Sequence, residues 1–284
     1  MSMTTELPSK LSGKLAPEEL AVWSGRWYHN FSPLGLPAGK QTEVQLQHQL
    51  EKQGDIFRHV RDAFLRLKKD PKGLQLTSTD GLFGLYAATK GASHVDIVNV
   101  TPGSPASDRR FMEQTRIAAK LLDLEKKVDL SSGDVFKISG PYDFCISTGC
   151  LYNLPEPGLV LTKLRDIVNG PLIIHEHTWL LPSYTRRFRE VRMGQLEREI
   201  RFMKDTLSRS EIEERKAELK EWKSGKDDLH FQSPAEYREW GSRFSHDSLI
   251  VMAVDAGWTV INEKVAEVPP LNWLDRGSSS LLCI

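Results

Sequence analysis

The chain has 284 residues, with 38 basic and 38 acidic side chains and a formal net charge of zero at pH 7. This balance argues against a protein that binds nucleic acid mainly by neutralising phosphates, and the length suits one large domain or a core with additions. Three scattered cysteines argue against a disulfide framework or a zinc site and are consistent with the cytoplasm. No apolar run approaches the roughly 20 residues of a membrane helix, and no signal peptide is recognisable.

The first 54 residues are predicted to form a lid that precedes the main domain. Residues 1–16 are polar and indicate a flexible tail, and residues 17–24 indicate a short helix. Residues 25–39 combine aromatic side chains with proline and glycine, which is typical of an irregular loop packed on other elements. Apolar residues recur at helical spacing over 43–69, and Gly54 is expected to divide this helix into two pieces.

The next segment alternates strands and helices in the manner of a doubly wound sheet. The predicted strands are 73–77, 93–99, 127–131, 142–148 and 170–178, and the predicted helices between them are 82–90, 107–123 and 156–168. A helix at 246–256 and strands at 258–265 and 279–283 follow later. The expected fold class is therefore α/β, with a seven-stranded, mostly parallel Rossmann-like sheet that binds ligands at the carboxyl ends of its strands.

Residues 184–245 interrupt this pattern with a composition dominated by Arg, Lys and Glu. We predict an inserted helical hairpin, with a helix that begins near residue 209 and ends at Gly225. Basic and acidic residues alternate in it, which favours a solvated, salt-bridged surface over nucleic-acid binding. Apolar residues at helical spacing make the 186–226 helices a candidate homodimer interface. The α/β core would then comprise 55–183 and 246–284.

Three motifs in sequence order identify a resemblance. The strand–turn–helix at 74–84 has the layout of a nucleotide-binding turn, in which a helix N-terminus faces the ligand. The second motif is Val128-Asp-Leu-Ser-Ser-Gly-Asp-Val-Phe, and the third is the stretch 142–157. Together, the three motifs resemble those of class I S-adenosylmethionine-dependent methyltransferases. Trp27-Tyr28-His29 and the C-terminal piece are most similar to the branch of tRNA wobble-uridine carboxymethyltransferases and their small-molecule relatives.

The resemblance implies S-adenosylmethionine as cofactor, held at the strand ends. The implied cofactor-binding residues are Thr77, Thr79, Gly81, Asn99, Asp134, Val135 and Thr148. The family's first strand ends with an acid and three glycines, and these four positions here read Gln75, Thr77, Thr79 and Gly81. Threonine side chains are expected to crowd the methionine part of the cofactor. The family's ribose-binding acid is replaced by Asn99, whose amide oxygen holds hydroxyl groups more weakly than a carboxylate does.

The tripeptide His175-Glu176-His177 ends the fifth predicted strand at the same edge. Alternation along a strand puts both histidines on one face of the sheet and Glu176 on the other. The histidines could act as a general base, form half of a metal site, or be structural. Spacing fixes no third metal ligand, so no metal site is predicted.

Three further residues are candidate catalytic groups. Tyr28 and His29 lie in the aromatic loop, which in the resembling branch folds over the active site, although they could equally pack on the first helices. Tyr152 follows the fourth strand, where the family often contacts its acceptor.

Three functions are consistent with this sequence. The first is a methyltransferase for a small-molecule acceptor, oriented by Tyr28 and Tyr152, with His29, His175 or His177 as the base. The second is an enzyme of the same fold that catalyses an elimination, cyclisation or rearrangement, with or without a metal at His175 and His177. The third is a catalytically silent subunit that supports a partner protein through the hairpin.

Overall fold

A computed structural model describes residues 9–25, 27–36, 43–77, 79–100, 105–154, 156–179, 209–224, 246–266 and 276–284, together with residues 197 and 200. The strands β1–β7 are Lys72–Thr77, His94–Asn99, Val128–Ser132, Phe144–Thr148, Leu172–Trp179, Val260–Ala266 and Arg276–Cys283. The helices α1–α8 are Ser9–Ser12, Pro17–Trp23, Glu43–Phe64, Leu82–Thr89, Pro105–Leu121, Pro157–Ile167, Arg209–Ser224 and His246–Asp255.

The seven strands form one sheet in the order β3-β2-β1-β4-β5-β7-β6. All pairs are parallel except those that involve β7, which runs antiparallel to both of its neighbours. Central strands of such a sheet are covered on both faces and are therefore apolar throughout, as the runs in β4 and β5 illustrate. The predicted α/β fold class is confirmed, and most predicted element boundaries lie within two residues of those observed.

Two apolar layers sandwich the sheet. One layer, here called the α3/α4 face, is covered by α2, α3, α4 and α5, and includes Phe83, Ile97 and Ile146. The other, the α6/α8 face, is covered by α6 and α8, and includes Trp258 and the free thiols of all three cysteines. Successive strand residues therefore alternate between the two layers, as Cys145 and Ile146 of β4 do.

Two predictions for the N-terminal region are wrong. Gly54 does not divide the helix, since α3 continues through it and ends at Phe64. Residues 9–16 are not a free tail: they include α1, and Lys14 Nζ lies 2.9 Å from the Asp123 carboxylate. The helix predicted near residue 209 is present as α7, and the remainder of the proposed hairpin lies outside the described residues. No helix in the described part of the chain is long and apolar enough to cross a membrane.

Candidate active site

The carboxyl edge of the sheet carries a continuous row of polar residues. Strand pairing places them side by side in the order Ser132, Asn99, Thr77, Thr148, His175 and Ser280. Each lies on the α3/α4 face. The row two residues below, on the same face, contains the apolar side chains of Ile97, Ile146, Ile173 and Leu282. This polar row lies at the edge where open α/β sheets bind ligands, which makes the edge the candidate ligand-binding site.

The turn after β1 is closed by a threonine hydroxyl. Thr77 Oγ1 accepts a hydrogen bond from the Thr79 N–H at 3.0 Å and donates one to the Asp80 carbonyl at 3.2 Å. A side-chain turn of this kind replaces the backbone flexibility that glycines would give. The Thr77 side chain is fully buried and its hydroxyl is used within the turn. Its role as a cofactor-binding residue stays a prediction.

Gly81 and Gly84 are required by packing within the protein. A Cβ on Gly81 would lie 2.6 Å from Thr115 Cγ2, and a Cβ on Gly84 would lie 2.7 Å from Gln75 Oε1. The Gly81 N–H donates to Thr115 Oγ1 at 2.9 Å, and the Gly84 N–H donates to Gln75 Oε1 at 2.6 Å. Gln75, at the position of the family's acid, thus anchors the first turn of α4.

Replacing Thr77 with valine tests the role of its hydroxyl. Valine keeps the shape but leaves the half-buried Thr79 N–H and the buried Asp80 carbonyl without this partner, so we expect a loss of about 1–3 kcal/mol in the free energy of unfolding. Denaturant unfolding measures this loss. Thr259→Val, at an exposed position, is the control and should change stability by less than about 0.5 kcal/mol. Equal stability of the Thr77→Val variant and the wild type would contradict the proposed turn.

His29 is held at this turn by a carboxylate that the sequence reasoning did not single out. The fully buried Asp80 accepts a hydrogen bond from the His29 backbone N–H at 3.0 Å, and its other oxygen lies 2.6 Å from His29 Nδ1. The imidazole also packs edge-on against Phe83, with ring centroids 5.1 Å apart. Among the described residues none hydrogen-bonds to Nε2. This is the arrangement by which a carboxylate fixes the tautomer of a histidine so that Nε2 can accept a proton.

The aromatic loop is fastened on both sides of His29. Trp27 Nε1 donates to the Trp23 carbonyl at 2.6 Å, and the Trp27 ring packs edge-on against Phe31. With the Gln53 amide oriented to match its surroundings, that side chain bonds both backbone groups of Asn30 at 3.0–3.1 Å. The described part of the aromatic loop is therefore packed against α2, α3 and the start of α4, and its function as a lid stays a prediction.

Tyr28 is more exposed than His29, with 39% of its surface accessible. Its ring packs edge-on against the His29 ring with centroids 4.8 Å apart. Its predicted role as an acceptor-orienting residue remains a prediction.

The two histidines of β5 do not share a described site. His175 is partly buried and its Nδ1 lies 2.7 Å from Ser280 Oγ, while the side chain of His177 lies outside the described residues. Within the described ranges, one group of three possible metal ligands occurs, and it lies at the opposite edge of the sheet: His94, Asp96 and Asp129. Lys72 Nζ lies 3.3 Å from Asp96 there, and an ammonium group competes with a metal for this carboxylate.

Tyr152 lies on a short helical turn, Leu151–Asn153, that directly follows β4. The turn begins at Gly149, whose φ of 60° is favourable for glycine. Beneath it, on the α6/α8 face, Glu176 Oε1 accepts hydrogen bonds from the N–H groups of Cys150 and Leu151. Alternation along β5 correctly predicted the face of Glu176 but gave no indication of this contact.

The remaining predicted cofactor residues lie at or just after the ends of β2, β3 and β4. Asn99 is fully buried within the polar row. Asp134 is exposed, and its carboxylate accepts the Phe136 N–H at 3.0 Å, while the neighbouring Val135 is buried. Thr148 is also buried, and its hydroxyl has no hydrogen-bond partner among the described residues. These residues are therefore distributed along one edge, from β3 to β4.

Solved structures share this architecture at low sequence identity. The N-terminal domain of EvdMO1 with SAH bound superposes with a TM-score of 0.56 and 12% identity over 99% of both chains. The [4+2]-cyclase SpnF gives 0.54 and 10% identity over 96% of this chain and 90% of its own. Magnesium protoporphyrin IX methyltransferase (ChlM) from Synechocystis PCC 6803, with bound SAH, gives 0.52 and 13% over 86% and 88%. No protein-family model and no curated protein sequence matches the chain. These likenesses establish the methyltransferase fold.

Proposed function

We propose that the protein transfers a methyl group from S-adenosylmethionine to a hydroxyl group of a small molecule. The observation that supports this most directly is the His29–Asp80 pair, which lies at the turn where this fold binds ligands. A hydroxyl acceptor has a high pKa and needs a base, whereas a thioether or a free amine does not. A histidine oriented by a buried carboxylate supplies such a base.

The residues at the cleft fit the adenosine half of the cofactor better than its methionine half. Asn99 would contact the ribose, and the exposed carboxylate of Asp134 with buried Val135 would contact the adenine edge. The Thr148 hydroxyl, which has no hydrogen-bond partner among the described residues, offers a hydrogen bond at the middle of the carboxyl edge. On the methionine side, the turn presents the partly buried Thr79 where the family has glycine. We therefore expect S-adenosylmethionine to bind, with a contact to Thr79 that glycine could not make.

When bound, S-adenosylmethionine supplies a methyl group that is already activated as a sulfonium. The protein's own residues bind and align the acceptor and exclude water. Asp80 holds His29 so that Nε2 can take the hydroxyl proton as the acceptor oxygen attacks. The docked loop that carries Tyr28 and His29 closes the cleft, and Tyr152 approaches it from the turn after β4. His175 is a second candidate contact for the acceptor.

A second candidate function is catalysis of a different reaction in the same cleft. The internal use of the Thr79 N–H by Thr77 Oγ1 and of the Gly81 N–H by Thr115 Oγ1 favours it, since both bonds leave fewer backbone donors for the methionine carboxylate. SpnF, named as a cyclase, has this fold, so the fold does not fix the reaction. Such an enzyme would not consume S-adenosylmethionine.

Calorimetric titration with S-adenosylmethionine and S-adenosylhomocysteine, followed by an acceptor screen, decides between these functions. The screen uses radiolabelled methyl donor and panels of hydroxyl, amine and thiol compounds. Micromolar binding with label transferred to a hydroxyl compound supports methyl transfer. Absence of binding would contradict the proposed cofactor and favour the second function, and label transferred only to amine or thiol compounds would contradict a hydroxyl acceptor.

Asn99→Asp restores the family's acid and should tighten S-adenosylhomocysteine binding about tenfold. The reason is that hydrogen bonds from ribose hydroxyls to a carboxylate are about twice as strong as those to an amide. The change in Kd is measured by calorimetry. Asn262→Asp, on the exposed surface of β6, is the matched control and should leave Kd unchanged. An unchanged or larger Kd for Asn99→Asp would contradict the contact between Asn99 and the ribose.

A further inference from the structure

Glu176 is a buried carboxyl group that the proposed mechanism does not use. Its side chain is fully buried in β5. Oε1 accepts hydrogen bonds from the backbone N–H groups of Cys150 and Leu151, both at 3.1 Å. Oε2 has no hydrogen-bond partner among the described residues. The two N–H groups belong to the turn that brings Tyr152 to the carboxyl edge.

No counter-charge accompanies this carboxyl group in the described part of the chain. The titratable groups within this layer are three buried thiols and Tyr142, whose hydroxyl donates to Asp96 at 2.7 Å. The covering helices also carry Lys163, Arg165, Asp166, His246, Asp247 and Asp255, and the Arg165 guanidinium lies 4.9 Å from the centroid of the Trp258 ring. The thiols belong to Cys145, Cys150 and Cys283. His246, at the start of α8, lies 3.2 Å from Glu263 of β6. The side chains that α6 buries are all apolar.

Burial raises the pKa of Glu176 to about 8, and this effect outweighs the backbone N–H groups of Leu151, Cys150 and Tyr152, which lower it. The carboxyl group is therefore neutral in the folded protein at pH 7, whereas in the unfolded chain its pKa is near 4.5. Its contribution to stability is fully present below the unfolded pKa and is lost as the pH rises through about 8.

We propose that Glu176 is a positioning residue whose neutral carboxyl group holds the Tyr152 turn, through Cys150 and Leu151, in its ligand-binding arrangement. Loss of the proton would place an unpaired charge in an apolar layer, which is costly. The turn relieves this cost by moving and admitting water. The inference rests on the proposed function only in that the turn borders the ligand.

Hydrogen exchange of the amides of residues 150–152 tests the proposal in the wild type and in Glu176→Gln. Glutamine presents the same carbonyl acceptor and cannot ionise, so both proteins should exchange equally near pH 6.5. At about pH 9.5 the wild type should exchange about tenfold faster than the variant, since most of its Glu176 would be ionised. Glu125→Gln, at an exposed position, controls for a change of charge and should behave as the wild type.

Equal exchange of wild type and Glu176→Gln at both pH values would overturn the proposal, as would a variant that already exchanges faster near pH 6.5. If the variant fails to fold, the wild type alone decides: its 150–152 amides must lose protection above about pH 8 while those of β1 keep it. Titration with S-adenosylhomocysteine over the same pH range adds a measurement of ligand binding. The affinity of the wild type should fall at high pH, whereas that of the variant should not. Absence of S-adenosylhomocysteine binding at every pH would contradict the proposed function. Hydrogen exchange of residues 150–152 would still decide the role of Glu176.

Discussion

The Asp80→Asn variant is expected to lose methyl-transfer activity, with kcat/KM reduced about 100-fold or more. Asparagine has one acceptor oxygen, whereas Asp80 accepts from both the backbone N–H and the Nδ1 side of His29. The amide NH2 would face one of these donors, so the imidazole would lose its orientation or its productive tautomer. The measurement is the rate of label transfer to the hydroxyl acceptor that the screen identifies.

The chain offers a matched control for this experiment at the opposite edge of the sheet. His94 Nε2 lies 3.1 Å from Asp96 Oδ1, so His94→Gln also breaks a histidine–aspartate pair but leaves the carboxyl edge intact. It should keep full activity. His29→Gln should lose as much activity as Asp80→Asn, because the two residues act as a unit. If the Asp80→Asn variant had the kcat/KM of the wild type, the His29–Asp80 pair would not take part in the reaction.

Gly73→Ala is expected to cause the largest loss of stability, about 3 kcal/mol or more. The new Cβ would lie 2.2 Å from Phe144 Cζ and 2.6 and 2.7 Å from two further ring atoms. Phe144 is fully buried and its ring packs edge-on against Phe64, so it has little room to move. The midpoint of denaturant unfolding measures the effect.

Two companion variants separate this clash from other effects of adding a methyl group. In Gly54→Ala the new Cβ contacts no atom within 4 Å, so this exposed helical position should gain about 0.5–1 kcal/mol. Phe144→Leu introduced into Gly73→Ala should recover part of the lost stability, because the smaller side chain makes room. If the two substitutions were additive, the clash would not be the cause of the loss.

The fold could be predicted from the sequence because its central strands are buried on both faces and therefore form short apolar runs between turns. Leu172 to Ile174 is one such run, ended by the polar His175. Gly54 was misinterpreted because an exposed helical glycine costs only about 1 kcal/mol. Burial of the apolar side of α3, including Ile56 and Val60, exceeds this cost.

The site was only partly predictable, because its contacts join residues distant in sequence. Motif order placed Thr77, Asn99 and Thr148 at one edge, but their alignment in one row depends on strand register. Asp80 was missed as the partner of His29, 51 residues away. The available signal was an acid inside the turn that occupies the place of the family's glycine motif. The contact of Glu176 with the Cys150 backbone gave no signal in the sequence.

The location of the three thiols has a practical consequence. Cys145, Cys150 and Cys283 are all buried in the layer covered by α6 and α8, and burial raises the pKa of each. An alkylating reagent can reach these sulfur atoms only when that layer opens. The rate at which the thiols are modified would therefore report how often the layer covered by α6 and α8 opens, without any label having to be introduced.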